Sequence, residues 1–494
     1  MYQRSEGQLI LPGDFFLPFG GKLSDDNRWV VLAGIIPWWK VEAKYAKSFK
    51  RSQKGQKAVP VRVALGALII QERLGTDDRE TLQQILENPY LQYFLGLPGY
   101  QNRRPFHASL MTHFRKRLGQ DVIHEVNEWI AVEEAKAAQG HDSDDDDPQG
   151  GASSKGTTDS APKEAEPPMH QGKLLLDATC APADIAYPTD LSLVNEAREK
   201  LEEIIDVLHA PHRGSLPKPR TYRQKARKAY LSIAKQRRVK PKTMRKAIGR
   251  QLRFVARNLR TVADLAKQSE LTQLTLRQYK QLLVIQELYR QQRQMFEARS
   301  HSVPDRIVSI SQPHVRPIVR GKAKASVEFG AKVAVSLVNG YAFQEKLEWD
   351  NYNEGVTLQA SVETYRQRFG FYPVAVLADQ IYRNRDNLRY CKKLGIRLSG
   401  PQLGRPSADL QEKKQLARLD ASERNAIEGK FGEGKRCYGL GLIRARLQST
   451  SETVIALQLL VMNLERRLRI LFLPILSWLH TLRRCFSPAV LQPD

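Results

Sequence analysis

Residues 424–440, RNAIEGKFGEGKRCYGL, place one acid among basic residues at helical intervals. Arg424 lies four positions before Glu428 and Lys435 lies seven positions after it, so the three side chains fall near one face of a helix. A carboxylate flanked by cations is suited to an active site that handles phosphates. The competing interpretation is an amphipathic surface helix with incidental ion pairs.

Three glycines interrupt the same predicted helix: Gly429, Gly432 and Gly434. Each one weakens an isolated helix by about 1 kcal/mol relative to alanine, so each is expected to have a compensating role. We interpret these glycines as positions where another backbone approaches closely. The basic neighbours favour DNA as that backbone.

Two further acids end short apolar runs that are typical of buried strands. Asp177 follows the leucines at residues 174–176, and Asp379 ends PVAVLAD at residues 373–379. A carboxylate at the tip of a central strand is where an α/β site places a metal ligand. Neighbouring acids are the alternatives, and we interpret them as helix caps or surface charges: Asp184, Asp190, Asp386 and Glu433.

A hairpin and several short elements are predicted between these acids. Asn339-Gly340 is a strong hairpin signal, because both residues tolerate the positive φ angles that a tight turn needs. Strands are therefore predicted on either side of it, at residues 333–338 and 341–347. The other predicted elements are helices over residues 357–369 and 384–394, and a strand that begins at IRLSG.

The first 135 residues or so have helical patterns with basic ends. Residues 61–74 are apolar all round, as in a buried helix, and another helix begins near Asp78. A third helix is predicted over residues 105–119 with Ser109 as its cap, and it is expected to expose Arg115, Lys116 and Arg117 near its end. Short helices with basic ends indicate a helix-turn-helix-like DNA binder. The alternative is a plain helical bundle whose basic residues only confer solubility.

Two segments with opposite charge lie between the N-terminal helices and the second half of the chain. Residues 138–168 are rich in Asp, Gly, Ser and Pro and nearly free of apolar side chains, which predicts a disordered linker. Residues 190–300 are helical in pattern and strongly basic, with tyrosines among the Lys and Arg residues, as suits phosphate contacts. A solvated helical face is the alternative for this second segment.

The overall charge indicates a polyanionic partner. The 494 residues include 78 Lys and Arg against 53 Asp and Glu, a formal charge of +25 and an isoelectric point near 9.8. Such a surplus attracts nucleic acid by long-range attraction and counterion release. No apolar stretch reaches the length of a spanning helix and no cleavable signal is evident, so we expect a cytoplasmic protein without membrane association. The four cysteines form no CxxC pair, so neither a disulfide framework nor a zinc site is indicated.

The Arg-Glu-Lys spacing of Arg424, Glu428 and Lys435 resembles the third-acid signature of DDE transposases from bacterial insertion sequences. That superfamily is marked by a Tyr-Arg-Glu-Lys pattern, and this chain departs from it at Ala421, where the family has Tyr. Tyr438 is a candidate to supply the missing role. The phrases AYPTDLSLVNEAR and SGPQLGRP also resemble those of the group with long helical insertions.

The resemblance implies an α/β fold, a ribonuclease H-like mixed sheet flanked by helices, with a helical N-terminal domain and a long basic helical insertion. Retroviral integrases and related nucleases share this order of elements. The implied domains are an N-terminal DNA-binding domain (residues 1–137), a linker (138–168), a catalytic domain (169–190 and 301–450), the basic insertion (191–300) and a C-terminal helical region (451–494). The apolar residues 454–482 of that last region form either a contact surface or a core helix.

The resemblance also implies the catalytic groups and the cofactor. Two Mg²⁺ ions about 3.5–4 Å apart, with Mn²⁺ as a substitute, would activate water, carry the charge of the leaving oxygen and neutralise the phosphate. Asp177 is expected to bridge both ions, while Asp379 holds one and Glu428 the other. Arg424 and Lys435 are expected to bind the DNA phosphates around the scissile bond.

The function implied by the resemblance is that of a DNA transposase. It would bind the terminal inverted repeats of a mobile element and its double-stranded target DNA, as a homodimer or higher oligomer, in the nucleoid. Two alternatives are a transposase-derived DNA-binding protein without catalytic activity and a ribonuclease H-like nuclease.

Overall fold

The computed structural model describes residue 2 and residues 10–49, 57–141, 170–268, 270–322, 325–400 and 410–485. The α-helices in these ranges are α1 (Arg28–Ile35), α2 (Trp38–Tyr45), α3 (Val61–Leu74), α4 (Asp78–Glu87), α5 (Pro89–Phe94), α6 (Leu110–His141), α7 (Asp190–His209), α8 (Arg223–Ala234), α9 (Pro241–Ala266), α10 (Leu276–Ala298), α11 (Leu358–Phe369), α12 (Arg385–Lys393), α13 (Leu410–Cys437) and α14 (Gln448–Cys485). The strands are β1 (Lys173–Pro182), β2 (Arg316–Lys322), β3 (Ala325–Val338), β4 (Tyr341–Glu348), β5 (Ala375–Ala378) and β6 (Arg397–Leu398). The chain is therefore a mixed α/β protein.

These six strands form one mixed sheet with β1 at its centre. The order along the sheet is β2-β3-β1-β5-β6, and β4 pairs with the second part of the long strand β3. Strand β1 runs antiparallel to β3 and parallel to β5, and β5 runs parallel to β6. A mixed sheet with many helices is compatible with the architecture that the sequence predicts.

The predicted hairpin is confirmed at the turn between β3 and β4. Asn339 has φ 49° and Gly340 has φ 79°, so both turn residues adopt the left-handed conformation. A Cβ atom on Gly340 would also displace the Arg466 guanidinium, which packs over this turn. The turn sets the register in which Val338 faces Tyr341.

The N-terminal helices share one hydrophobic core with the sheet and with α14. Helix α14 packs against α6, α3 and β4, and its residues from Val454 to Leu468 are largely buried. A buried polar contact fixes this packing: Asn463 Nδ2 donates to Asn127 Oδ1 at 2.8 Å and to the Ala342 carbonyl at 2.7 Å. Of the two interpretations of residues 454–482, the core helix is therefore correct up to residue 468.

The basic insertion has its own hydrophobic core, built from α7, α9 and α10. Thr189 caps α7 by accepting from the Ser192 N–H, whereas Asp190 is the first helical residue and forms an ion pair with Arg306 at 2.8 Å. The fully buried Arg198 is held by Glu202 at 2.6 Å. The helical prediction for residues 190–300 is confirmed.

Two boundaries differ from their predictions. The first segment of α6 begins at Leu110, later than the predicted start, and ends at a kink at Gly119 (φ 63°), as predicted, and a second helical segment continues to His141. The helix therefore extends into the first residues of the predicted linker, and residues 142–169 lie outside the described residues. Among the helices that the structure describes, none combines the length and apolar character needed to cross a membrane.

Candidate active site

Asp177 and Asp379 are brought side by side by the pairing of β1 with β5. The parallel register ends where Leu176 faces Ala378, so the next residue on each strand is an acid. Adjacent strands lie about 4.8 Å apart, so the two acids start from neighbouring backbone positions. Strand β1 continues along β3 to Pro182, so Asp177 lies in mid-strand and not at the strand end that the sequence predicts.

The electrostatic surroundings of Asp177 are those of a carboxylate cluster. The pKa of Asp177 is raised to about 6, chiefly by burial and also by the negative charges of Glu354 and Asp379. The Arg424 charge and the Ala178 N–H, which donates to Asp177 Oδ1 at 2.8 Å, act in the opposite direction. This part of the sheet therefore holds an excess of negative charge that a cation would relieve.

Helix α13 lies across β1 and β5 and is anchored there by ion pairs. Lys173 on β1 forms an ion pair with Glu423 at 2.7 Å, and Arg397 on β6 forms a bidentate ion pair with Asp420. Ile427 is fully buried, which fixes the rotation of the helix about its axis. These contacts place the following residue, Glu428, on the exposed flank of the helix.

Glu428 contacts a cation and not the other two acids. Its side chain is 54% exposed and its Oε1 lies 3.1 Å from the Arg424 guanidinium, whose charge also acts on Asp177. Among the described residues, no three His, Cys, Asp or Glu side chains are close enough together to hold a metal ion jointly. The structure thus brings Asp177 and Asp379 to neighbouring backbone positions and leaves Glu428 on α13, paired with Arg424.

Glu354 and Lys332 belong to the same surroundings and were missed by sequence reasoning. Glu354 begins a short 3-10 helix after β4, and Lys332 Nζ holds its carboxylate at 2.9 Å while donating to the Tyr352 carbonyl at 2.7 Å. The signal for Lys332 is a single lysine in the apolar strand AKVAVSLV, because a cation buried in a sheet requires a partner. No comparable signal marks Glu354, which lies in a loop-like stretch.

The glycines and the tyrosine near Glu428 have structural explanations. A Cβ atom on Gly434 would lie 3.0 Å from Met462 Sδ, so this glycine lets α13 approach α14 and the interpretation as DNA contact is wrong for it. Gly429 faces open space, which leaves room for a ligand beside Glu428. Tyr438 is buried and accepts from Arg469 at 3.2 Å, away from the acids, so it does not replace the tyrosine absent at Ala421.

The basic residues predicted to bind DNA lie in different surroundings. Lys116 and Arg117 are exposed, as expected, with the Arg117 guanidinium 4.4 Å from the Phe49 ring. The predicted exposure of Arg115 is wrong: its side chain is only 11% exposed and forms an ion pair with Asp78. Lys435 is half-buried on α13, about 10 Å along the helix axis from Glu428.

The alternative acids are engaged in local contacts. Asp386 forms an ion pair with Arg389 at 2.6 Å in the first turn of α12, and Glu433 is bound by Lys430 and Arg469. These contacts agree with the interpretation of these acids as surface or helix-end charges.

Two transposase families match separate parts of the chain. A family model described as a transposase DDE domain matches residues 376–465, and one described as a transposase domain (DUF772) matches residues 18–117. The first match contains Asp379, Glu428 and Lys435, and the second contains Arg115, Lys116 and Arg117.

A curated relative is similar to part of the chain. It is the uncharacterized protein ORF8 in the nfe locus of Rhizobium meliloti, 28% identical over 185 residues, which are 37% of this chain and 73% of the relative. No solved structure matches the chain significantly. The two family matches, together with the spacing of acids and bases in the site, support a DDE transposase of the insertion-sequence type.

Proposed function

We propose that this protein binds the terminal inverted repeats of a mobile element and catalyses metal-dependent DNA strand cleavage and strand transfer. The observation that carries the proposal is the placement of Asp177 and Asp379 on adjacent strands, beside the helix that presents Arg424 and Glu428. Acids that attract a divalent cation and basic groups that attract a phosphate are thereby within reach of one scissile bond.

The topology of the sheet supports a ribonuclease H-like catalytic domain. The central strand β1 has the antiparallel strand β3, which also pairs with β2 and β4, on one side and the parallel strands β5 and β6 on the other. The first and second acids lie on β1 and after β5, and the third lies on the helix that covers these strands. This arrangement is the one implied by the sequence resemblance.

The donor set suits Mg²⁺, with Mn²⁺ as a substitute, because hard divalent cations prefer carboxylate oxygens. Asp177 and Asp379 would hold the ions, and Glu428 would complete the set on release from Arg424. Bound there, two ions would lower the pKa of the attacking water and neutralise charge at the phosphate.

The side chains of the protein would position the DNA. Arg424, once its carboxylate partner is taken by the metal site, is free to contact a phosphate oxygen with two N–H groups, and Lys435 acts as a compact point charge further along the strand. Lys116 and Arg117 would contact the repeat, and two protomers would join the two ends of the element. Both reactions are in-line displacements at phosphorus, so one site serves for both.

A binder without catalysis is the second candidate, and one observation favours it. Glu428 is neutralised by Arg424 and lies apart from the other two acids, as it would in a protein that retains the basic surfaces alone. Such a protein would use its positive charge for regulation or DNA architecture.

One experiment separates the two candidates and the nuclease. The protein is incubated with Mg²⁺ and labelled duplexes that carry the ends of its own element, and the products are separated by size. Nicking with joining to a second duplex supports transposition, whereas nicking alone indicates a nuclease. Retention of DNA without either product indicates a binder and overturns the proposal.

A further inference from the structure

An open cleft of about 1100 Å³ lies between the N-terminal helices and the end of α13. One wall comes from α3, α4 and α6, and the other comes from the connection between α13 and α14 together with α14 itself. Lys435 lines the cleft, and it is seven residues from Glu428 on the same helix. The cleft therefore begins about 10 Å from the third acid of the candidate active site.

The rim of this cleft carries three exposed arginines, and the charge of one of them, Arg444, acts to lower the pKa of Glu72 and of Asp77 across the cleft. Arg436, Arg444 and Arg446 are exposed, and no salt bridge joins any of them to an acid in the described part of the chain. The acids on the opposite wall are already engaged: Asp78 forms an ion pair with Arg115, and Asp77 caps α4 by accepting from two backbone N–H groups. The rim therefore attracts anions, and its guanidinium groups are suited to phosphates.

The floor of the cleft offers polar atoms that lack partners. Gln458 is 2% exposed, and its Nε2 donates to Glu72 at 3.1 Å, while its Oε1 has no partner among the described residues. Arg115 Nε is likewise buried without an acceptor there. A buried polar atom without a partner costs about 1–3 kcal/mol, so the floor favours a ligand that brings both a donor and an acceptor.

We infer that this cleft holds the DNA strand that flanks the scissile phosphate, an inference that rests on the proposed function. Phosphates of one strand advance about 3.4 Å along the duplex axis, so a distance of about 10 Å corresponds to roughly three nucleotides. Arg436, Arg444 and Arg446 contact the phosphates, and Gln458 faces the polar edge of a base. The strand thereby bridges the N-terminal helices and α13, and its binding sets the position of the scissile bond.

A cysteine in the cleft reports on occupancy. Cys437 lines the cleft and is exposed, whereas Cys180 and Cys391 are buried. In a Cys485→Ser background, the rate of modification by N-ethylmaleimide measures access to Cys437. Three probes are used. The first is a duplex of the element's end that stops at the scissile phosphate. The other two are this duplex extended by about six nucleotides, one on each side, which is twice the distance to the cleft.

One extended duplex is expected to slow modification about tenfold at a concentration ten times its Kd, while the duplex that stops at the scissile phosphate changes the rate less than about twofold. Equal protection by an extended duplex and by the duplex that stops at the scissile phosphate would overturn the inference. Protection by neither extended duplex would also overturn it. Equal protection by heparin or inorganic phosphate would show binding of any anion and would also overturn it.

Matched variants separate this cleft from the other basic surfaces. Replacing Arg436, Arg444 and Arg446 together by Gln is expected to abolish the protection, and replacing them by Lys is expected to retain it. The control replaces Arg237, Arg238 and Lys240 by Gln, which removes the same charge from the insertion and leaves protection intact at saturating DNA. Loss of protection in the control as well would contradict the assignment to the cleft.

The wild-type cleavage assay distinguishes the two proposals. If the protein nicks and joins DNA but Cys437 stays accessible, the cleft inference fails and the proposed function stands. If Cys437 is protected by the extended duplex but no nicking occurs, the cleft binds DNA in a protein that is not a transposing enzyme.

Discussion

The centre of the sheet and the helical insertion use charge in opposite ways. Around Asp177, the charges of Glu354 and Asp379 from separate segments act on its carboxylate. Burial is the largest of the causes that raise the pKa of Asp177 to about 6. Between residues 207 and 263 the insertion has 18 Lys and Arg and no Asp or Glu. The first region concentrates an unfavourable charge that a cation relieves, and the second presents a positive surface that a polyanion relieves. We therefore assign the proposed chemistry to the sheet and the proposed affinity for DNA to the insertion.

The largest expected effect tests the acidic region. Replacing Asp177, Asp379 or Glu428 by Ala should reduce DNA cleavage to the uncatalysed background, because each removes a proposed ligand for Mg²⁺, while DNA affinity should change little. Single-turnover nicking and filter binding measure the two quantities. The matched control is Asp386→Asn, which alters an exposed acid paired with Arg389 and should retain activity. Normal strand transfer by any one of the three variants would remove that residue from the site.

A second effect tests the basic region. Replacing Arg237, Arg238 and Lys240 by Gln should weaken DNA binding and lower the slope of log affinity against log salt by up to about 2.7, since up to three phosphate contacts are lost. Cleavage at saturating DNA should remain unchanged, because these exposed residues are separate from the acids. A titration at several salt concentrations measures the slope. An unchanged slope would mean that the insertion is only a solvated surface.

The raised pKa of Asp177 predicts a stability effect in the absence of divalent cations. This pKa is about 6 in the folded state against an ordinary value of 3.8 for an aspartate, so the folded state favours the protonated form. Stability contributed by that proton is present at low pH and is lost as the pH rises from about 4 through 6. Asp177→Asn should therefore raise the free energy of unfolding by up to about 3 kcal/mol at pH 8 and much less at pH 4. Denaturant unfolding in EDTA measures this difference, and equal effects at both pH values would contradict it.

The smallest expected effect concerns Arg115, which the sequence places among the DNA-binding residues. Because its ion pair with Asp78 is largely buried, Arg115→Gln should destabilise the fold by about 1–3 kcal/mol. Its effect on DNA affinity should be smaller than that of the neighbouring Lys116→Gln, which changes an exposed cation. Thermal unfolding and filter binding of the two variants provide the test. A larger loss of DNA affinity in Arg115→Gln would return this residue to the DNA surface.

Much of the secondary structure could be predicted from local patterns. The apolar run that predicts a buried helix forms α3, Asn339-Gly340 forms the hairpin, and Gly370 ends α11 in the left-handed conformation. Each of these depends on interactions within a few residues, which the sequence displays directly. The order of the strands along the chain could therefore be predicted as well, although Asp177 lies within β1 and not after it.

Side-chain partners from distant segments could not be predicted in this way. Arg115 pairs with Asp78, Gly434 packs against Met462, and Glu354 pairs with Lys332. Each of these contacts forms only when the helices and strands pack together. Charge and spacing show that a residue can take part in an interaction, but they do not say which of several oppositely charged groups will be within 4 Å.

The sequence by itself determined the positive charge and most of the helices and strands, and it nominated the candidate acids, because periodicity, turn chemistry and composition are local properties. The tertiary structure decided that Asp177 and Asp379 are neighbours, that Arg424 holds Glu428, and that the N-terminal helices form one wall of a basic cleft. These relations depend on strand register and on the packing of helices far apart in the chain, and both are set by the shared burial of apolar surface.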